Sequence, residues 1–265
     1  MKKTLYTAAV FVAALFLWAG SGSSSFDDAA STLGLSANPL ESILAGESPV
    51  SSSGVSSGGA DSGVPADSRF AALSVDADRA ASELSSLAVR DSDGSGYDRE
   101  EWQHWSDATD SGFPLTIAGQ NVDECDSRDA ALVRDGSGVT FDDSSGYCSI
   151  TAGEWTDPYS GQSAGTDSSE VDIDHIVALG NASASGGDEW SAQKKERYAN
   201  DPDVLIASDS SVNTAKSDSG PEEWMPPEPA VHCGYAAAWI EIKADYGLSV
   251  NAAEKAALED ALATC

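Results

Sequence analysis

Asp174 and His175 stand side by side in the segment Val171-Asp172-Ile173-Asp174-His175-Ile176-Val177-Ala178-Leu179, and Asn213 and Lys216 follow in Ser211-Val212-Asn213-Thr214-Ala215-Lys216. A carboxylate and an amide offer the hard oxygen donors that Mg²⁺ or Mn²⁺ prefers, and an imidazole is the side chain suited to take a proton from water near neutral pH. Together they are the minimum set for metal-assisted phosphodiester hydrolysis. Asp174 and Asn213 are therefore the candidate metal ligands and His175 the candidate general base. Neighbouring strand residues point to opposite faces, so Asp174 and His175 can serve one ion only where the strand bends or ends. Asp172, two residues back, shares the face of Asp174 and is a second-ligand or supporting candidate. Lys216 lies one helical turn from Asn213 and is a candidate phosphate contact. The plainer roles are a helix cap for Asn213 and a solvated lysine for Lys216.

These residues need elements to hold them. Alternation of Val171 and Ile173 with acidic residues predicts a strand with one packed and one functional face. A polar helix is expected over Glu189 to Asn200, packed through Trp190 and Tyr198, then a short strand at Val204–Ala207 and a short helix carrying Asn213. Upstream, Val139–Phe141, Cys148–Ile150 and Gly153–Trp155 read as brief strands among Asp/Gly/Ser turns, with another turn at Asp157–Gly161. Downstream, Ala230 to Tyr246 reads as a helix stopped by Gly247, and Asn251-x-x-Glu254 as a capping box opening a final helix. Apolar residues Phe70, Leu73, Leu84 and Leu87 recur at helical spacing between Arg69 and Val89.

The chain has 265 residues, 14 basic against 44 acidic, and a formal net charge of −30. Met1-Lys2-Lys3 before an apolar run from Leu5 to Trp18 suits a signal peptide over 1–22, or else an N-terminal anchor. Residues 23–68 are rich in Ser, Gly, Ala and Asp and read as a disordered linker. A helical lead-in over 69–95 then precedes a folded domain over 96–265. The four cysteines, Cys125, Cys148, Cys233 and Cys265, form no C-x-x-C pattern, so in an exported chain they point to disulfides. Two local pairs, Cys125 with Cys148 and Cys233 with Cys265, are the expectation among three possible connectivities. Such an acidic surface argues against an ordinary phosphate-neutralising nucleic-acid binder. Molar salt, with a Debye length of ~3 Å, would screen the repulsion, and the composition resembles that of proteins adapted to hypersaline surroundings. Asp91-x-Asp93-Gly94 is no calcium loop, because Trp102 occupies the position where an EF-hand needs glutamate.

The order of motifs is more specific than any one of them. Gly96-Tyr97-Asp98-Arg99, Trp102-Gln103-His104-Trp105, Cys125 with Arg128, Gly153-Glu154-Trp155-x-Asp157-Pro158-Tyr159, Asp172 to Val177, Tyr198-Ala199-Asn200-Asp201, Val212-Asn213-x-x-Lys216 and Pro221-x-x-Trp224-x-Pro226-Pro227 run in sequence. This series resembles secreted HNH endonuclease family proteins. The resemblance implies an α+β fold with a ββα-metal (HNH, or His-Me finger) core, short β elements before it and a C-terminal helical hairpin. It implies a nuclease with a catalytic set of His175, Asn200, Lys216 and Arg128, Asp174 and Asn213 as ligands of Mg²⁺, Mn²⁺ or another divalent ion, and Asn200 chiefly holding the loop. Arg99, Arg128, Lys216 and His104 are the implied substrate contacts. An ion pair is the plainer role for each arginine, and aromatic packing for His104. Ala178 departs from the family pattern, which places proline there. The expected substrate is nucleic acid, DNA above RNA, with no stable protein partner and a monomeric chain. A non-catalytic exported domain that binds metal or a surface partner is the alternative, and a cell-wall hydrolase ranks lower for want of an acid/base pair.

Overall fold

The computed structural model describes residues 70, 75–91, 94, 96–142, 144 and 148–265. The expected signal segment (1–22) and linker (23–68) lie outside these residues, as do Arg69, Leu73 and Asp93. Helix α1 (Ala77–Ser86) is shorter than the 69–89 periodicity predicts, because its start is set by a cap: the Asp76 carboxylate accepts from the Arg79 amide. Phe70 lies before that cap, packed on Tyr159 and edge-on to Tyr235.

A two-stranded ribbon, β1 (Thr116–Ile117) and β2 (Gln120–Asn121), leads to helix α2 (Ser127–Asp135), which Asp126 caps. Ala130 to Val133 are buried in an unbroken run, so the apolar residues of α2 do not recur at helical spacing. Strands β3 (Gly136–Phe141), β4 (Ile150–Thr156) and β5 (Ser163–Asp167) form an antiparallel sheet in that order. The two brief strands expected at 148–150 and 153–155 join in β4, with register shifts against β3 and β5 where the ladder is irregular. The Cys125–Cys148 disulfide ties the start of α2 to this sheet.

The remaining elements are β6 (Val171–His175), α3 (Leu179–Ala184), α4 (Ala192–Asn200), β7 (Leu205–Asp209), α5 (Ser210–Lys216), α6 (His232–Tyr246) and α7 (Ala252–Leu262). Gly247, at φ 68°, ends α6 in the left-handed region, and the Asn251/Glu254 capping box opens α7. The Cys233–Cys265 disulfide joins α6 to the residues after α7. Strand, helical excursion, strand and short helix from β6 to α5 make the ββα unit, within a mixed α+β domain. No helix among the described residues is long and apolar enough to cross a membrane.

Two apolar clusters grip this unit. Val171, Ile173, Leu205 and Ala207 pack with α2 and Trp155, whereas Ile176, Val177, Leu179 and Ile206 pack with α4, α6 and Tyr159. Each cluster takes alternate residues of a strand, so the two strand faces are both covered and the register is fixed. All five residues of β6 pair in step with β7, from Val171 opposite Asp209 to His175 opposite Leu205.

Candidate active site

β6 keeps its ladder with β7 through His175, where the strand ends and the chain bends at Ile176 and Val177, and the alternation of its side chains sorts the candidate residues onto two sides of that strand end. On the side of Asp174 lie Tyr159, from the turn after β4, and the inner face of α5. The Tyr159 hydroxyl donates to Asp174 Oδ2 at 2.5 Å. The Lys216 ammonium donates to Asp174 Oδ1 at 3.0 Å and lies 3.0 Å from Oδ2 as well. A further Lys216 donor reaches the His175 carbonyl at 2.9 Å, and the lysine is fully buried. Lys216 is thus an internal counter-ion of Asp174, not a surface cation. Burial pushes the Asp174 carboxyl above its usual range, opposed by Lys216 and Tyr159. Burial, then the Asp174 charge, also raises the Tyr159 phenol well above its ordinary value, so it stays a donor.

Asn213, half-buried on α5, donates through Nδ2 to Asp172 Oδ2 at 3.0 Å. That geometry leaves the Asn213 carbonyl oxygen available as a donor to a cation. Asp209, not Asn213, caps α5: its carboxylate accepts from the amides of Ser211 and Val212. Asp172, Asp174 and Asn213 therefore gather hard oxygens on one face. Among the described residues no three His, Cys, Asp or Glu side chains are grouped to hold an ion, so an ion here needs the Asn213 amide oxygen and water beside the carboxylates. The fit of a cation is visible in Lys216, whose ammonium already sits among the Asp174 oxygens and a main-chain carbonyl.

His175 faces the other side. Its Nε2 lies 2.9 Å from the Ala199 carbonyl; a carbonyl only accepts, so Nε2 carries the proton and Nδ1 keeps its lone pair. Burial lowers the imidazole pKa from 6.5 to about 3, against the Ala199 bond and with help from Lys216, His104 and Arg99. The ring is neutral across the physiological range. Trp105 stacks beside it at a centroid distance of 6.5 Å and 26° between planes, in a left-handed backbone conformation (φ 64°) that is strained for tryptophan. His104 meets Trp105 edge-on, donates from Nδ1 to the Trp102 carbonyl at 2.5 Å, and lies 3.3 Å through Nε2 from the exposed Arg99 guanidinium.

Asn200 is buried and spends every polar atom on scaffolding. Its Oδ1 accepts from the Ser106 amide at 2.9 Å and the Ser127 hydroxyl at 2.7 Å, and its Nδ2 donates to the carbonyls of Gln103 and Glu196. The end of α4 is thereby locked to the Trp105 segment and α2, with Ala199 held under His175. Arg128 donates to the carbonyls of Ser168 (3.0 Å) and Val171 (3.3 Å) and clamps the turn into β6. Arg99 and His104 are thus brought to the His175 side, while Asn200, Arg128 and Lys216 are drawn into the framework. Tyr159 and Trp105 are site residues that the sequence pattern alone does not single out. Both stand in motifs, Asp-Pro-Tyr and His-Trp, but the first reads as a turn and the second as packing. Asp157 is a similar case: it is buried and accepts from Ser208, Asp209 and Ser160, fixing the Tyr159 turn to β7.

Residues 126–261 match the family model described as GmrSD restriction endonucleases, C-terminal domain. The matched region contains β6, β7 and α5 with Tyr159, Asp172, Asp174, His175, Asn200, Asn213 and Lys216, whereas Arg99, His104 and Trp105 precede it. An uncharacterized secreted protein of Arthroderma benhamiae is 42% identical over 193 residues, covering 71% of this chain and 86% of the relative. No solved structure matches the chain. With the Asp-His strand, the Asn-bearing helix and these matches in hand, the chain belongs to the GmrSD C-terminal domain family of HNH-type nuclease domains.

Proposed function

We propose that this is a secreted, divalent-metal-dependent HNH endonuclease that hydrolyses phosphodiester bonds of nucleic acid, DNA above RNA. The observation that carries the reading is the geometry of His175: its Nε2–H is fixed on the Ala199 carbonyl, which leaves the Nδ1 lone pair as the base. Nδ1 accepts a proton from the attacking water. Asp174 and Asn213, with Asp172 beside them, are the residues that would hold Mg²⁺ or Mn²⁺. Such an ion, when bound, stabilises charge on the phosphate and on the leaving oxygen. Arg99 is the exposed guanidinium on the His175 side and is assigned to a phosphate oxygen, with His104 orienting it. Asn200 positions the base by holding α4, and Arg128 positions the start of β6. The excess of acidic over basic residues supports working conditions of concentrated salt. Secretion is supported by the name of the fungal relative and by the two disulfides.

The test is cleavage of plasmid, single-stranded DNA and RNA by the oxidised protein with Mg²⁺, Mn²⁺ or EDTA, beside His175→Ala. Metal-dependent cutting that falls on the order of 10²-fold or more in the variant is the expected result, the usual worth of a general base. Equal cutting by a folded variant removes His175 from the mechanism, and no cutting by the wild type on any substrate returns the protein to the class of binding domains.

A further inference from the structure

We propose that Lys216 is a built-in counter-cation for Asp174 that gives way when a divalent ion binds, so that metal loading and withdrawal of Lys216 from the core are one event. The proposal rests on the reading of Asp174 as a metal ligand. Both carboxylate oxygens of Asp174 are 3.0 Å from the Lys216 ammonium, and Tyr159 takes Oδ2 as well. A second cation on those oxygens is disfavoured while the ammonium remains, because two like charges within a few ångströms in a buried setting repel. Leaving Asp174 without any cation is also unfavourable, since a buried carboxylate needs a partner. One cation at a time is the arrangement that satisfies both constraints, and in the metal-free chain Lys216 is that cation.

The element that carries Lys216 is suited to an exchange. α5 has seven residues and closes on Ser217 at φ 52°, ψ −133°, an unfavourable backbone for serine. Its inner face presents Asn213 to Asp172 and, one turn on, Lys216 to Asp174 and the His175 carbonyl. An ion that draws on Asp174 and the Asn213 oxygen acts on both the middle and the C-terminal end of this helix. The metal's apparent affinity is then reduced by the stability of the Lys216 contact, as for any ligand whose competent state is a minor one.

Two readouts independent of cleavage test this on the full-length, oxidised protein. The first is pulse labelling of lysine amines on the wild type with an acylating reagent, resolved by peptide mass spectrometry. Lys216 labels slowly in EDTA and roughly fivefold or more faster in saturating Mn²⁺ if the occupied state has released it. Lys243, also fully buried but paired with Glu254, is the control and does not change. The second is Mn²⁺ binding followed by electron paramagnetic resonance. Lys216→Met binds about tenfold or more tightly than wild type because the internal competitor is gone, whereas Asp174→Asn binds about tenfold or more weakly. Binding that depends on Asp174, with Lys216 labelling and Lys216→Met affinity unchanged, overturns the exchange and leaves the ligand reading intact. Wild-type binding that is indifferent to Asp174→Asn overturns both. Because the labelling uses the wild type, a misfolded Lys216 variant does not shield the proposal.

Discussion

His175 is buried as a neutral ring, and the sign of that shift fixes how it bears on stability. Its folded pKa of about 3 lies below the ordinary 6.5, so between those values the unfolded chain holds a proton that the folded chain refuses. The resulting penalty is absent above pH 6.5 and grows as pH falls from 6.5 toward 3, by at most about 1.4 kcal/mol per pH unit. Chemical denaturation of wild type and His175→Asn from pH 7.5 to 4.5 will give a shallower decline for the variant; parallel curves would mean that the imidazole is not held neutral. His175 is singled out in the sequence by its neighbours, Asp174 above all. Its environment was not, because the groups that set it, Trp105, Ala199, Arg99 and Lys216, come from segments tens of residues away. The same holds for Asp174: its pairing with Lys216 and Tyr159 depends on where α5 and the β4–β5 turn dock, and no local spacing records that. Lys216 shows the limit most clearly, as i+3 from Asn213 gave its side of the helix but not whether that side faces water or core.

At the scale of elements, the passage from β6 into α3 is open to a direct test. Ala178, buried to 8% exposure, has φ −55° and ψ 148° and precedes α3 with no side-chain cap. That φ is the one a proline ring imposes. Ala178→Pro is expected to stabilise the fold by about 0.5 kcal/mol, through loss of unfolded-state freedom. A rise of a degree or two in thermal midpoint, with cleavage retained, is the expected outcome; a fall would show that the ring cannot be accommodated beside Leu179 and Val177. Elements with a cap or a period were readable: the Asn251/Glu254 box, Gly247 after α6, and the alternation of β6. α2 and α3 were not: α2 has its Asp126 cap but is buried along the apolar run Ala130–Val133, and α3 is six residues long without a capping side chain. The fusion of two expected strands into β4 has a similar origin: Ala152 carries no strand signal, and its pairing comes from β3 and β5 on either side.

For the whole molecule, charge decides how substrate approaches. A net charge of −30 places a polyanion in a repulsive field at low ionic strength, and the exposed Arg99 is too little to reverse it. Binding dominated by phosphate neutralisation weakens steeply as salt rises, because counterions must be released. With 14 basic against 44 acidic residues, general repulsion is expected to outweigh that release, and salt removes the repulsion once the Debye length falls to ~3 Å near 1 M, while hydrogen bonds and ion contacts act at shorter range. Cleavage of a short single strand at fixed Mn²⁺ is therefore expected to rise, or at least hold, as KCl increases from ~0.05 to ~2 M, the reverse of the slope for a basic nuclease. A steep loss of rate over that range would mean that phosphate contacts by the few arginines and lysines control binding despite the acidic surface. Running the series beside Arg99→Gln separates repulsion from direct phosphate contact. If repulsion dominates, the variant keeps the rising slope at a lower rate, because one short-range contact is lost and the field is barely changed.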